Sequence, residues 1–103
     1  AIIDYNKWQA TGRSEEVMAL EPLAAKWEAF GWHAQEIDGH DLGAISKALE
    51  AARTETKIPS VIVAHTIKGK GVSFMEDDNN WHYRTPNKEE LAAALTELNE
   101  LAL

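Results

Sequence analysis

Cysteine is absent from the 103 residues, which excludes disulfides and thiolate chemistry and leaves the redox compartment open. No apolar run approaches the roughly 20 residues needed to span a bilayer. The first residues also lack the basic-then-apolar pattern of a secretory signal. An excess of positive charge is missing too: ten Lys and Arg stand against 17 Asp and Glu, for a net charge of −7. A nucleic-acid-binding surface is therefore disfavoured, although a local basic pocket can still take phosphate. There is no internal repeat and no low-complexity linker. What is present is ordinary globular material, 45% hydrophobic and 26% charged. The length predicts one domain or part of one, burying about 60–68% of its unfolded surface. Ala1-Ile2-Ile3-Asp4 reads as the inside of a buried strand with no initiator methionine before it, so a fragment of a longer chain is expected.

Along the chain, apolar runs alternate with helical periods. Ala1–Asp4 is short and apolar, the pattern of a central parallel strand. Residues 10–18 are polar with a turn point at Gly12 and read as loop. Pro22 suits a first helical position, Leu23, Trp27 and Phe30 recur at helical spacing as core candidates, and Gly31 ends the helix. A second strand is predicted over Trp32–Ile37. Asp38-Gly39-His40-Asp41 turns the chain, with Asp41 able to cap the next helix and His40 to support the turn. Leu42, Ile45, Leu49 and Ala52 form one stripe of that helix, expected to be its packed face. Ser60–Ala64 is β-branched and apolar, a third strand. Asn87 with Glu90 makes a capping-box start to a last helix carrying Leu91, Leu95, Leu98 and Leu101 on one face. Strands alternating with helices predict an α/β fold, a parallel sheet with flanking helices.

The chemistry-bearing residues fall in loops at carboxyl ends of strands, where ligands sit in open α/β sheets. One loop, Thr66–Arg84, carries Lys68-Gly69-Lys70-Gly71 and a lone His82. Glycines let a backbone approach an anion, and lysines give point charge to phosphate. The same composition also suits a plain solvated loop. The other loop follows the first strand and carries Asn6, which read alone is equally a turn or cap residue. Adjacent Glu76-Asp77-Asp78 reads as solvated rather than metal-binding, and Lys70 as a solvated charge. His33 and His65 fit packed or surface positions.

Asp4-Tyr5-Asn6, Leu20-Glu21-Pro22-Leu23, Phe30-Gly31-Trp32, Asp38-Gly39-His40-Asp41 and His65-Thr66-Ile67-Lys68-Gly69-Lys70-Gly71-Val72-Ser73-Phe74-Met75 occur in this order. In that order and spacing the chain resembles the transketolases, most closely the N-terminal subunit of split transketolases, over essentially its whole length. A more distant likeness is to deoxyxylulose-phosphate synthase.

The resemblance implies a thiamine-diphosphate enzyme that moves a two-carbon ketol unit from a ketose phosphate to an aldose phosphate. Residues 1–103 would be the C-terminal part of its pyrophosphate-binding domain. It implies Mg²⁺ or Ca²⁺ held by the Asn6 side chain and the Trp8 carbonyl, hard neutral oxygens suited to such an ion. A Gly-Asp-Gly aspartate completes the family's ligand set; that motif does not occur in these residues and would fall before Ala1. Lys68 and Gly69 align with the segment beside the diphosphate. His82 aligns with a histidine that reaches cofactor and substrate, and an imidazole suits proton transfer near pH 7. Tyr83 stands where split subunits commonly have glycine. The resemblance further implies a cytoplasmic enzyme of the pentose phosphate pathway. It would be a homodimer, or a heterotetramer with a C-terminal transketolase subunit, without nucleic-acid or membrane partners. The family's activating glutamate lies in the next domain, so the isolated 103 residues are expected to be inactive. The competing expectations are a non-catalytic interaction or regulatory module built on the same scaffold, and a phosphate-binding loop using Lys68 and Lys70 without metal.

Overall fold

The structure, a computed structural model, describes residues 1–101. Its elements run β1 (Ile2–Tyr5), β2 (Trp8–Gln9), β3 (Gly12–Arg13), α1 (Ser14–Val17), α2 (Leu23–Ala29), β4 (His33–Asp38), α3 (Leu42–Thr54), β5 (Ser60–His65), a 3₁₀ turn (Asn79–His82) and α4 (Lys88–Leu101). The most apolar strand takes the centre. Val61, Ile62, Val63 and Ala64 of β5 are all buried, and β5 pairs in parallel with β1 on one side and β4 on the other. A strand flanked on both sides by partners and covered on its faces needs a continuous apolar run, which β5 has. The register sets Tyr5 and Asp38 against His65, so the carboxyl ends of all three strands finish level.

The ends of the elements follow the local chemistry. Asp41 Oδ1 accepts from the amides of Gly43 and Ala44 and caps α3. In α4, Asn87 Oδ1 accepts from the Glu90 amide while Glu90 Oε2 accepts from the Asn87 amide, a reciprocal capping box. Helix α2 closes in a Schellman motif: Gly31, at φ 81°, donates to Glu28 O, and the Trp32 amide donates to Trp27 O.

Four expectations are corrected. Residues 10–18 are not loop throughout: β2 and β3 form an antiparallel hairpin that leads directly into α1. Two-residue strands carry no hydrophobic period from which to read them. Pro22 sits at the N-cap of α2, one residue ahead of the first helical position. Phe30 is 83% exposed rather than core, because it follows the last helical residue and the Schellman turn swings it off the packed face. In α3 the leucines do not mark the packed face: Leu42 is 82% and Leu49 47% exposed, and Ala48 is the buried residue. Small side chains let α3 approach β4 closely enough for Gln35 Nε2 to donate to Ala48 O.

Candidate functional site

The level carboxyl ends of β1, β4 and β5 form one rim. Thr66 at the end of β5 donates its amide to Tyr5 O and its hydroxyl to Asp4, fixing the exit of β5 to that of β1. On the other side Gly39 donates to His65 O, and His40 Nε2 accepts from the Ile67 amide. His40 is expected from the sequence to support its own turn; its side chain instead holds the start of the lysine–glycine loop at Ile67. His65 is also held at the rim: its Nδ1 lies 2.8 Å from Lys7 Nζ, and its ring packs edge-on against Tyr5. Lysine is a donor only, so Nδ1 is the acceptor and the ring proton sits on Nε2, 3.7 Å from Glu36 Oε1.

Asn6 and Trp8 are brought together by a tight turn. Asn6 Oδ1 accepts from the Trp8 amide at 2.9 Å, an Asx turn, and Lys7 between them has φ 68°. A lysine in the left-handed region costs on the order of 1–2 kcal/mol. Lys7 is held there by its contacts with His65 and the Tyr5 ring and by the Ser14 amide, which donates to Lys7 O. That last bond decides the direction of the next carbonyl. In an antiparallel pair, hydrogen-bonded and non-hydrogen-bonded positions alternate. Lys7 and Ser14 are joined by a ladder bond, so Trp8 opposite Arg13 is a non-bonded position, and the Trp8 carbonyl faces away from β3. The turn therefore offers two neutral oxygens: the second lone pair of Asn6 Oδ1 and the outward Trp8 carbonyl. Such donors fit Mg²⁺ or Ca²⁺ when further oxygens complete the shell. Among the described residues no group of three His, Cys, Asp or Glu side chains is placed to hold a metal.

The lysine–glycine loop folds back on itself. Gly69 has φ 71°, and a Cβ there would lie 2.5 Å from Met75 O. Only glycine fits at this approach. Lys68 is half-buried; Lys70 is exposed, as expected of a solvated charge, and lies 3.3 Å from Glu76 Oε1. The Gly71 amide also donates to Glu76, and this bond, with Lys70, holds the Glu76 carboxyl below its ordinary range.

Asp77, which looked solvated in the sequence, ties this loop to the hairpin. Its amide donates to Lys68 O. Its carboxylate takes both Arg13 guanidinium nitrogens, at 2.7 and 2.6 Å, and the Trp8 indole N–H at 2.8 Å. Arg13 lies over the Trp8 ring, 3.7 Å from the centroid. The Arg13 bonds, and then the indole bond, lower the Asp77 pKa to about 2. Arg13, Lys7 and Asp77 are the site residues missed in the sequence; an aspartate and an arginine 64 positions apart leave no local signal.

His82 ends the 3₁₀ turn, which Asp78 caps and which Asn79 fastens to the hairpin by donating to Gln9 O and Ala10 O. The His82 ring is exposed and packs edge-on against Tyr83, centroids 4.4 Å apart. Tyr83 has φ −117° and ψ 2°, a conformation open to any residue, so its place in the family's glycine position puts no strain on the backbone beside His82.

Residues 1–99 match the family described as transketolase, thiamine diphosphate binding domain. This chain belongs to the transketolase family. The 6-deoxy-6-sulfo-D-fructose transketolase subunit of Clostridium sp. (strain MSTE9) is 46% identical over 100 residues, 97% of this chain and 36% of that protein. An apulose-4-phosphate transketolase subunit from Phocaeicola vulgatus is 40% identical, with the same coverage. The transketolase of Campylobacter jejuni superposes with a TM-score of 0.85 at 28% identity, over 95% of this chain and 15% of that one. The chain thus spans about a third of the length of these curated relatives. The expected α/β fold of the transketolases is the one observed.

Proposed function

We propose that the chain is the C-terminal part of the pyrophosphate-binding domain of a transketolase that transfers a two-carbon ketol unit between ketose and aldose phosphates. The observation that carries this reading is the Asn6–Lys7–Trp8 turn, in which a strained lysine sets two neutral oxygens at the rim of the sheet. In this reading Asn6 Oδ1 and the Trp8 carbonyl hold Mg²⁺ or Ca²⁺ on the diphosphate of thiamine diphosphate. Lys68 and Gly69 line the diphosphate, Gly69 by letting the backbone come close and Lys68 by charge. When bound, thiamine diphosphate supplies the nucleophilic centre for the transfer. The imidazole of His82 exchanges a proton with substrate hydroxyls near pH 7.

The remaining ligands and the glutamate that activates the cofactor come from outside these residues. The working unit is a homodimer or a heterotetramer with a C-terminal transketolase subunit, placed in the cytoplasm and the pentose phosphate pathway. No described helix is long and apolar enough to cross a membrane. Family membership does not favour the non-catalytic module.

The test is ketol transfer between a ketose phosphate and an aldose phosphate, assayed with the full-length protein and its partner in the presence of thiamine diphosphate and Mg²⁺. We expect transfer by that assembly, none by the isolated 103 residues, and a loss of about 10²–10⁴-fold in kcat on His82→Ala. An assembly that binds the cofactor and transfers no ketol unit contradicts the reading.

A further inference from the structure

Asp77 is the one described residue joined at once to both segments proposed to hold the cofactor. Through its amide it holds the Lys68 carbonyl at 2.8 Å, and through its carboxylate it holds the Trp8 indole and the Arg13 guanidinium. Its own backbone is in the left-handed region, φ 55°, which lets amide and carboxylate face two different segments. Arg13 completes the joint: its guanidinium is bidentate on Asp77 and stacked on the Trp8 ring, so the indole is gripped at its edge and on its face. Asn79 adds two bonds from the following turn to Gln9 O and Ala10 O, just beyond Trp8.

We infer that Asp77 and Arg13 are positioning residues that set the Trp8 carbonyl and the Lys68–Gly69 backbone at a fixed spacing, so that metal and diphosphate are bound together. This rests on the proposed role of Asn6 and Trp8. The physical ground is rotational. The hairpin turns the Trp8 carbonyl outward, but one Asx bond and a two-residue ladder leave it free to tilt about that direction. Clamping the Trp8 side chain removes the remaining freedom of that residue. Bidentate Arg–carboxylate geometry is the strongest planar link available for this, and lysine cannot reproduce it. Groups that orient a ligand without touching the metal typically change metal affinity about 10–100-fold when removed.

The experiment titrates Mg²⁺ into the full-length assembled protein at a fixed thiamine diphosphate concentration. Cofactor retained after rapid gel filtration and the quenching of tryptophan fluorescence are the readouts, with the thermal midpoint of the apoprotein measured alongside. Asp77→Ala is expected to raise the half-saturating Mg²⁺ concentration about 10–100-fold. Asp77→Asn keeps the tolerance for positive φ and one acceptor, and Arg13→Lys keeps the charge without the fork; both are expected to fall between Asp77→Ala and the parent. Should Asp77→Ala fail to fold, the other two decide the matter on the same scale. A lowered thermal midpoint with an unchanged half-saturating Mg²⁺ concentration makes the joint merely structural and overturns the inference. If the parent itself retains no thiamine diphosphate at any Mg²⁺ concentration, the proposed function falls and the inference with it. If the parent binds and all variants match it, only the inference falls.

Discussion

Lys7 and Asp77 are the described residues other than glycine at positive φ, and both stand where backbone direction matters more than side-chain packing. Gly69 makes the same point from the other side: the loop closes onto Met75 only because there is no Cβ. Gly69→Ala is expected to destabilise the protein by about 2 kcal/mol or more, since backbone atoms cannot yield as a flexible side chain can. Urea denaturation of the assembled protein checks this, and an unchanged midpoint would mean that the loop opens freely. The Asp77 carboxyl gives a pH dependence of definite sign. Its pKa falls from 3.8 to about 2 on folding, chiefly through Arg13, so the folded state binds fewer protons there than the unfolded chain. The stabilisation is complete above that unfolded value and is lost as pH falls through the window toward about 2. Glu76, lowered mainly by the Gly71 amide, acts in the same direction. Denaturation midpoints measured down this window should fall more steeply for the parent than for Asp77→Asn; equal slopes would contradict the assignment. Asn6, Trp8, Lys68, Gly69 and His82 are singled out by the resemblance to the transketolases; read alone, Asn6 is equally a turn residue and Lys68-Gly69 equally a solvated loop. Arg13 and Asp77 are not singled out, because a pair 64 positions apart has no local period and each side chain alone reads as a solvated charge.

Elements were legible where one residue type decides the outcome. The β-branched run of β5 fixes it as the buried central strand, and Asn87 with Glu90 marks the start of α4. Asn87→Ala should cost about 1 kcal/mol, with loss of helical circular dichroism confined to the α4 contribution. No change would mean that tertiary contacts, not the box, hold that end. Helix faces were less legible. A leucine stripe predicts which residues share a face, not which face meets the sheet, and in α3 the small side chain of Ala48 makes that contact. The β2–β3 hairpin was illegible for want of length, yet it is what turns the Trp8 carbonyl outward.

At the scale of the whole molecule, the described chain is a slab of 50 × 35 × 16 Å with a radius of gyration of 16.4 Å. A compact chain of this length would have about 13 Å. A slab this thin leaves apolar residues uncovered on more than one element: Leu42 on α3, Leu91, Leu95 and Leu98 on α4, and Phe30 after α2. These surfaces suit cover by the rest of a transketolase, in keeping with the proposal that the Asn6–Trp8 turn supplies only part of a metal's ligands. The most direct test is isothermal titration of the full-length assembled protein with thiamine diphosphate, with and without Mg²⁺, repeated on Asn6→Ala. The account predicts Mg²⁺-dependent binding at one site per chain, weakened at least about tenfold in Asn6→Ala. Binding that is indifferent to Mg²⁺ and to the loss of the Asn6 amide would contradict it.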